Sequence, residues 1–283
     1  MSEPTKEELV ERAPAAPKIG SGTQYWYGRV NYWADTGALQ KKEVELMRKV
    51  GVSGYIIEMA GWGGVNMRQK PNTTQYKSWV SRTQTYYKHL HAQCVKNGLW
   101  LFIGIVNDNA LSNKHGNKAV DPKHYYGNVA KDLLNIVLAD GPQNVIVQPI
   151  SELYSARVKN HLGVAWQKNA IAKLKAKKFK TCNNDGYGRP SSKGGCDYLA
   201  WHPNNISHLP NSKYNKASTF IISDTGGIIS ELNGGTDCDK TDANCKPSKI
   251  KEWKSKCKGF AVVGYYDFKR KKFNEAAIKA MGK

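Results

Sequence analysis

The sequence predicts an α/β protein that folds as a single (β/α)8, or TIM, barrel. Its 283 residues match the size of one such domain, which typically has about 250 residues. Eight short segments rich in β-branched and aromatic residues recur along the chain, and most intervals between them carry apolar residues at helical spacing. Because strict alternation of strands and helices gives a parallel sheet covered by helices, we expect the strands to close into a ring.

The predicted strands are nearly continuous apolar runs, as is typical of strands covered on both faces. In chain order they are YWYGRVNYW (25–33), GYIIEM (54–59), LWLFIGIVND (99–108), NVIVQPISE (144–152), FKTCNND (179–185), YLAWHP (198–203), TFIISD (219–224) and GFAVVGYYDF (259–268). An open doubly wound sheet is the alternative. It would normally carry a G-x-G-x-x-G phosphate turn after the first strand, and residues 25–35 contain none.

Helices are predicted between most of these strands. The clearest stripe consists of Tyr126, Val129, Ala130, Leu133, Leu134 and Val137, and it ends before Gly141-Pro142. Another stripe runs from Tyr76 to Cys94 and stops at Asn97-Gly98, which is typical of a helix C-cap. The interval GYGRPSSKGGCD (186–197) has no apolar face, so a Gly/Ser-rich loop is predicted in place of the fifth helix.

The first 22 residues are polar, Pro-rich and charged, without the apolar run of a secretory signal or of a membrane span. We therefore expect a flexible N-terminal tail over residues 1–22 and one barrel domain over residues 23–283.

The charge of the chain favours polyanionic partners. Forty-three Lys and Arg residues against 23 Asp and Glu give a net charge of +20, and such a field attracts polyanions. The lysines are scattered along predicted helices rather than interleaved with aromatic residues, which argues against nucleic acid. An anionic polysaccharide is one candidate partner, and simple solubility through self-repulsion is the alternative.

Four of the six cysteines form two close pairs in polar, Gly-rich intervals, Cys182 with Cys196 and Cys238 with Cys245. Both pairs are predicted to be local disulfides, which favours an extracellular or virion-associated protein, while the missing export signal leaves the cytoplasm open. Cys94 and Cys257 lie on apolar helix faces and are predicted to be buried thiols. No cysteine or histidine spacing indicates a metal site, and no cofactor motif is present.

Polar and aromatic residues gather where the predicted strands end, which is where active sites of this fold are built. Each residue alone is more typical of a helix cap or turn than of a catalytic site, but together they form a rim of acids and flat rings. Sugar rings stack on such faces and carboxylic acids cleave between them. The candidate substrate-binding residues are Arg29, Asn31, Glu58, Trp62, Asn107, Asp108, Asp185, Trp201, His202, Tyr266 and Asp267.

The fourth predicted strand, VIVQPISE, resembles the corresponding strand of the retaining (β/α)8-barrel glycoside hydrolases related to cellulases and β-mannanases. In that family a Glu preceded by Asn ends strand four as general acid/base, and a nucleophilic Glu ends strand seven. The resemblance implies Glu152 as the acid, with Ser151 in the place of the Asn, and Asp224 of IISDTGG as the second carboxylate. Reserve candidates for that carboxylate are Glu58, Glu231 and Asp267. The segment IIEMAGW is more faintly similar to phage-type barrel muramidases, but the acid of their fourth strand is replaced by Ile150.

The sequence therefore predicts a glycoside hydrolase that cleaves a polysaccharide with one protonated carboxylic acid and one ionised carboxylate, and without a cofactor. One alternative is a non-catalytic barrel that binds glycan or another polyanion on a surface or virion. Another is a metal-assisted hydrolase that uses Asp108, Glu152, Asp185 and His202.

Overall fold

The computed structural model of the chain describes a parallel sheet surrounded by helices. The described residues are 14–19, 24–29, 37–60, 65–107, 111, 120–151, 161–184, 195–200, 247–256, 259–264 and 273–282. Within them, seven strands form one sheet in the order β6-β5-β4-β3-β2-β1-β7, and all recorded pairings are parallel. Consecutive strands are neighbours, with β7 returning to pair with β1, as the barrel prediction requires.

The strands coincide with seven of the eight predicted segments. They are β1 (Gln24–Arg29), β2 (Gly54–Glu58), β3 (Trp100–Asn107), β4 (Val145–Ser151), β5 (Lys180–Asn184), β6 (Tyr198–Ala200) and β7 (Gly259–Gly264). The remaining segment, at 219–224, lies outside the described residues. So does most of the interval predicted to replace the fifth helix, and that loop stays a prediction.

Helices occupy most of the intervals between the strands. They are α1 (Ala38–Val50), α2 (Thr74–Lys96), α3 (Pro122–His124), α4 (Ala130–Asp140), α5 (His161–Ala176), α6 (Pro247–Lys256) and α7 (Glu275–Met281). A 3-10 turn covers Val65–Arg68, and a π-helical turn, Tyr125–Val129, joins α3 to α4. Thr73 caps the start of α2 by accepting a hydrogen bond from Tyr76 N. Among the described helices, none combines the length and the apolar character needed to cross a membrane.

Alternate residues of strands β1 to β4 pack into two separate cores. One set, which includes Tyr55, Ile57 and Ile103, packs with the surrounding helices. The other set forms an inner core of Trp26, Ile56, Trp100, Phe102, Ile146 and Cys182. A Cβ on Gly54 would lie 2.3 Å from the Trp26 ring, so the indole occupies the space that the glycine leaves.

Residues 14–19 pack against the inner core although the sequence placed them in a flexible tail. Ala16 and Ile19 contact that core, and the indole Nε1 of Trp100 donates a hydrogen bond of 2.6 Å to Pro17 O. Trp100 begins β3, so this segment covers the amino-terminal end of the sheet, opposite the strand ends at which the site was predicted.

Two polar side chains, His91 and Lys254, join helices outside the sheet. His91 of α2 places Nδ1 2.6 Å from Asp140 Oδ2 and Nε2 2.7 Å from Gln143 O, which ties α2 to the end of α4. On the other side, Lys254 of α6 donates to the carbonyl oxygens of Ala280 and Gly282 at the end of α7. A cation at a helix C-terminus is stabilising, so Lys254 attaches the last helix to the fold.

Candidate functional site

Two of the predicted site residues, Glu58 and Asn107, have described side chains, and Arg29 is described as the last residue of β1. The structure brings Glu58 and Asn107 together. The other predicted site residues lie outside the described residues: Asn31, Trp62, Asp108, Glu152, Asp185, Trp201, His202, Asp224, Tyr266 and Asp267. Their roles stay predictions.

The register of the sheet brings the carboxyl ends of neighbouring strands side by side. Arg29 pairs with Ile57 of β2 and with Gly264 of β7. Asn107, the last residue of β3, pairs with Ser151, the last residue of β4. Glu152, the proposed acid, directly follows Ser151 in the chain. It is therefore one residue from the position that pairs with Asn107.

The carboxylate of Glu58 is held by an amide. Asn107 Nδ2 lies 3.1 Å from Glu58 Oε1 and 3.4 Å from Oε2, so the amide donates to the carboxylate. The exposed fractions are 9% for Glu58 and 2% for Asn107, so water screens this contact little. A hydrogen bond to an ionised acceptor in such a setting is stronger than a neutral one.

The hydroxyl of Tyr125 in turn fixes the backbone of Asn107. It accepts a hydrogen bond of 3.1 Å from Asn107 N–H and donates one of 2.8 Å to Asn107 C=O. Tyr125 is fully buried and packs edge-to-face on Tyr126 with ring centroids 5.4 Å apart. One tyrosine hydroxyl therefore satisfies both backbone groups at the last residue of β3.

A row of three paired residues, two of them polar, runs across strands β2, β3 and β4 from Glu58. Glu58 pairs with Gly104, and Gly104 pairs with Gln148 of β4. A Cβ on Gly104 would lie 3.3 Å from Glu58 Cγ, so the Glu58 side chain lies over the glycine. Gln148 is 1% exposed, and its Oε1 accepts no hydrogen bond from any described residue.

Sequence reasoning did not identify Tyr125 or Gln148. Tyr125 directly precedes the helical stripe that begins at Tyr126, and nothing in the sequence distinguishes it from that stripe. Gln148 could have been noticed as a polar residue inside the apolar run VIVQPIS, since a fully buried strand of a barrel is dominated by Val, Ile and Leu at such positions.

The predicted disulfide between Cys182 and Cys196 is absent. Both residues are buried thiols, and the Cys182 side chain packs in the inner core beside Ile146. Burial first, then the neighbouring Cys196 and Asp197, raise the pKa of the Cys182 thiol well above its usual value. Such a thiol is protonated and unreactive at neutral pH. The prediction of a buried thiol is confirmed for Cys94.

The second predicted disulfide, between Cys238 and Cys245, and the predicted buried thiol Cys257 lie outside the described residues. An extracellular or virion-associated location rested on both predicted disulfides. It now rests on the second pair alone and stays a prediction.

Comparison with known proteins identifies similar folds only among solved structures. No protein-family model matches the chain, and no curated protein matches it. A glycoside hydrolase family 5 enzyme from Prevotella bryantii B14 is 11% identical, with a TM-score of 0.53 over 93% of this chain and 95% of the other. A family 5 xyloglucanase from Paenibacillus pabuli is 11% identical, with a TM-score of 0.51 over 93% and 98%. An endo-1,4-β-mannanase from Rhizomucor miehei is 10% identical, with a TM-score of 0.50 over 92% and 93%.

These similarities extend over nearly the whole chain and confirm the (β/α)8 fold class. The solved structures belong to the cellulase and mannanase group that strand four resembles, so the resemblance is confirmed at the level of the fold. At this level of identity the comparison does not transfer an activity, since one fold hosts many functions.

Proposed function

We propose that the chain is a glycoside hydrolase that cleaves a polysaccharide at the carboxyl ends of the barrel strands. The observation that carries the proposal is the pairing of Asn107 with Ser151 beside the held carboxylate of Glu58. Glu152 directly follows Ser151 in the chain, and in this fold a general acid would act from such a strand end. The glycoside hydrolases of similar fold support the same activity.

In the proposed reaction Glu152 protonates the leaving glycosidic oxygen while Asp224 acts as the ionised carboxylate on the opposite side of the scissile bond. An Asp in this role is one methylene shorter than a Glu. A separation of about 5–5.5 Å between the two carboxyl groups would fit retention, and one beyond about 6.5 Å would fit inversion. Glu58 ends β2, which β3 separates from β4, and it would contact the sugar, with Arg29 at the end of β1.

The first substrates to test are those of the proteins of similar fold, supplemented by charged polymers. One structure of the Prevotella enzyme holds a xyloglucan tetradecasaccharide, with a TM-score of 0.54 to this chain, and two others are a mannanase and a xyloglucanase. The net charge of +20 adds anionic polysaccharides to the panel, since a positive field concentrates them near the protein.

The decisive experiment measures release of reducing ends by the wild-type chain, Glu152→Gln and Asp224→Asn. Loss of a general acid costs roughly 10² to 10⁴ in rate, so we expect Glu152→Gln to lose at least about a hundredfold. The matched control is Glu45→Gln, which removes a carboxylate that is half exposed on α1 and should leave the rate unchanged. Wild-type turnover by Glu152→Gln would remove that residue from the mechanism.

A non-catalytic barrel that binds glycan or another polyanion is the second candidate. It is favoured by Ser151 in the place of the family Asn and Asp224 in the place of a Glu, because a barrel that loses one catalytic group keeps its fold. This candidate predicts saturable, salt-sensitive glycan binding with no new reducing ends from any polymer in the panel.

A further inference from the structure

We propose that Tyr125, outside the sheet, is a positioning residue that holds the Glu58 carboxylate in place through Asn107, so that Glu58 can accept a hydrogen bond from a sugar hydroxyl. This inference rests on the proposed function for the nature of the ligand. The series of hydrogen bonds that links Tyr125 to Glu58 does not depend on the proposed function.

The first step is the placement of Tyr125 by the π-helical turn. The N–H of Ala130 donates to Tyr125 O, five residues earlier, instead of following the four-residue spacing of an α-helix. The wider turn begins at Tyr125, whose own N–H donates to Asp121 O at 2.8 Å. Single π-turns within helices occur frequently at functional sites.

The second step is the double hydrogen bond from the Tyr125 hydroxyl to Asn107. Because this hydroxyl accepts from N–H at 3.1 Å and donates to C=O at 2.8 Å, it fixes both backbone groups of the residue. Asn107 is the last residue of β3 and also pairs with Ser151 of β4. A fixed backbone fixes the point from which the Asn107 side chain extends, and its amide is placed by its own hydrogen bonds to Glu58.

The third step is the contact between that amide and Glu58. The two Asn107 Nδ2 distances, 3.1 and 3.4 Å, place the amide across the carboxylate and stabilise its ionised form. A carboxylate offers about four acceptor positions, so a Glu58 side chain oriented in this way can also accept from a hydroxyl. A positioned acceptor contributes to binding because its orientation is fixed before the ligand arrives.

The test compares Tyr125→Phe with Tyr76→Phe. Both variants remove one buried tyrosine hydroxyl that makes a described hydrogen bond, and that of Tyr76 goes to Asp132 at 2.9 Å, between two helices. We expect amide hydrogen exchange at Asn107 to accelerate about fivefold to tenfold in Tyr125→Phe, as loss of one hydrogen bond implies. Tyr76→Phe should leave this exchange rate unchanged.

A second readout follows the carboxyl carbon of Glu58 by NMR, with its signal identified through Glu58→Gln. We expect Tyr125→Phe and Asn107→Ala to move the titration of this carbon to higher pH, because the first loosens and the second removes the donor that favours the ionised form. Asn107→Ala keeps the backbone groups and the tyrosine, so if Tyr125→Phe fails to fold it still tests the last contact of the series, from Asn107 to Glu58. Unchanged Glu58 titration in the folded variants would overturn the proposal.

The glycan arm separates this inference from the proposed function. If the wild-type chain cleaves a polysaccharide, Tyr125→Phe should raise KM at least about threefold with a smaller change in kcat, and Tyr76→Phe should change neither. An unchanged KM would refute the role in sugar binding. If the wild-type chain cleaves no polymer, the proposed function fails, while the NMR and exchange measurements still decide whether Tyr125 positions Glu58.

Discussion

Raising the pH from about 8 to about 10 should destabilise the folded chain through two buried thiols of the described residues, Cys94 and Cys182. Burial raises the pKa of Cys94 and of Cys182, with further increases from Glu43 at the first and from Cys196 and Asp197 at the second. In the unfolded chain a thiol has a pKa of about 8.5. Each folded thiol therefore keeps a proton that the unfolded chain releases, and the stability present below about pH 8.5 is lost as the pH rises toward the folded-state pKa.

The magnitude follows from proton linkage. Integrating the difference in bound protons from about pH 8 to about pH 10 gives roughly 1.9 kcal/mol for each thiol and about 4 kcal/mol for both. Burial also raises the pKa of Tyr76 and Tyr87. Because an unfolded tyrosine has a pKa of about 10, the two together add less than about 1 kcal/mol over the same range.

Equilibrium urea unfolding in the presence of a reductant measures this effect. Wild type should lose about 4–5 kcal/mol of unfolding free energy between the two pH values, and Cys94→Ala about 2 kcal/mol less than wild type. Thr83→Ala is the matched control, because it shortens another buried side chain of α2 that does not titrate, and it should keep the full pH-dependent loss. If Cys94→Ala lost as much as wild type, the assignment of alkaline sensitivity to this thiol would be incorrect.

Three substitutions test how the fold is held together. Lys254→Met should lower the free energy of unfolding by about 1–2 kcal/mol, because it removes the charge that caps α7 and whose Nζ lies 4.8 Å from the centroid of the Tyr25 ring. An unchanged thermal midpoint would contradict this. His91→Phe should preserve the stacking on Tyr87 but lose the two polar contacts, at a cost of about 2 kcal/mol in urea unfolding; stability equal to wild type would mean that these contacts contribute nothing. Gly28→Ala should prevent folding, because its Cβ would lie 2.0 Å from Ile56 O. The control Gly127→Ala should fold, because a Cβ there meets no atom within 4 Å. Circular dichroism distinguishes the two variants, and a folded Gly28→Ala would refute the predicted clash.

Much of the fold could be predicted from the sequence because burial on both faces gives each strand a distinct apolar run. The segment VIVQPIS was predicted as a strand and is β4, and the apolar stripe from Tyr126 to Val137 is buried as predicted. The π-turn within that stripe could not be predicted. A single wider turn leaves the apolar residues at nearly the same spacing, so periodicity does not reveal it.

The disulfide prediction for Cys182 and Cys196 was wrong for a related reason. Two cysteines close in sequence within a Gly-rich interval are typical of a local bridge. The direction of each side chain, however, is set by strand alternation. Cys182 shares a face with the inner core and packs beside Ile146, so the position of its side chain is decided by residues far away in the chain.

The sequence placed Glu58 and Asn107 at strand ends but could not predict the contact between them. Glu58 and Asn107 were both candidates because they end strands. Their hydrogen bond depends on the register of β2 against β3, which pairs Glu58 with Gly104. No local pattern encodes that register. The hydroxyl of Tyr125 bonds to Asn107, which lies 18 residues earlier in the chain. No local sequence motif predicts a contact over that distance.

The polar residues inside the barrel indicate where the core ends and the site begins. The inner core around Trp26, Ile56 and Phe102 is apolar, as expected for a barrel interior filled with bulky side chains. Farther along the same strands, Glu58 and Gln148 replace the expected aliphatic residues. A buried carboxamide oxygen without a donor costs about 1–3 kcal/mol, and no described residue donates to Gln148 Oε1. Judged by the described residues, core packing therefore does not account for a Gln at position 148, which shares a row with Glu58 at the end of the sheet where the site is proposed.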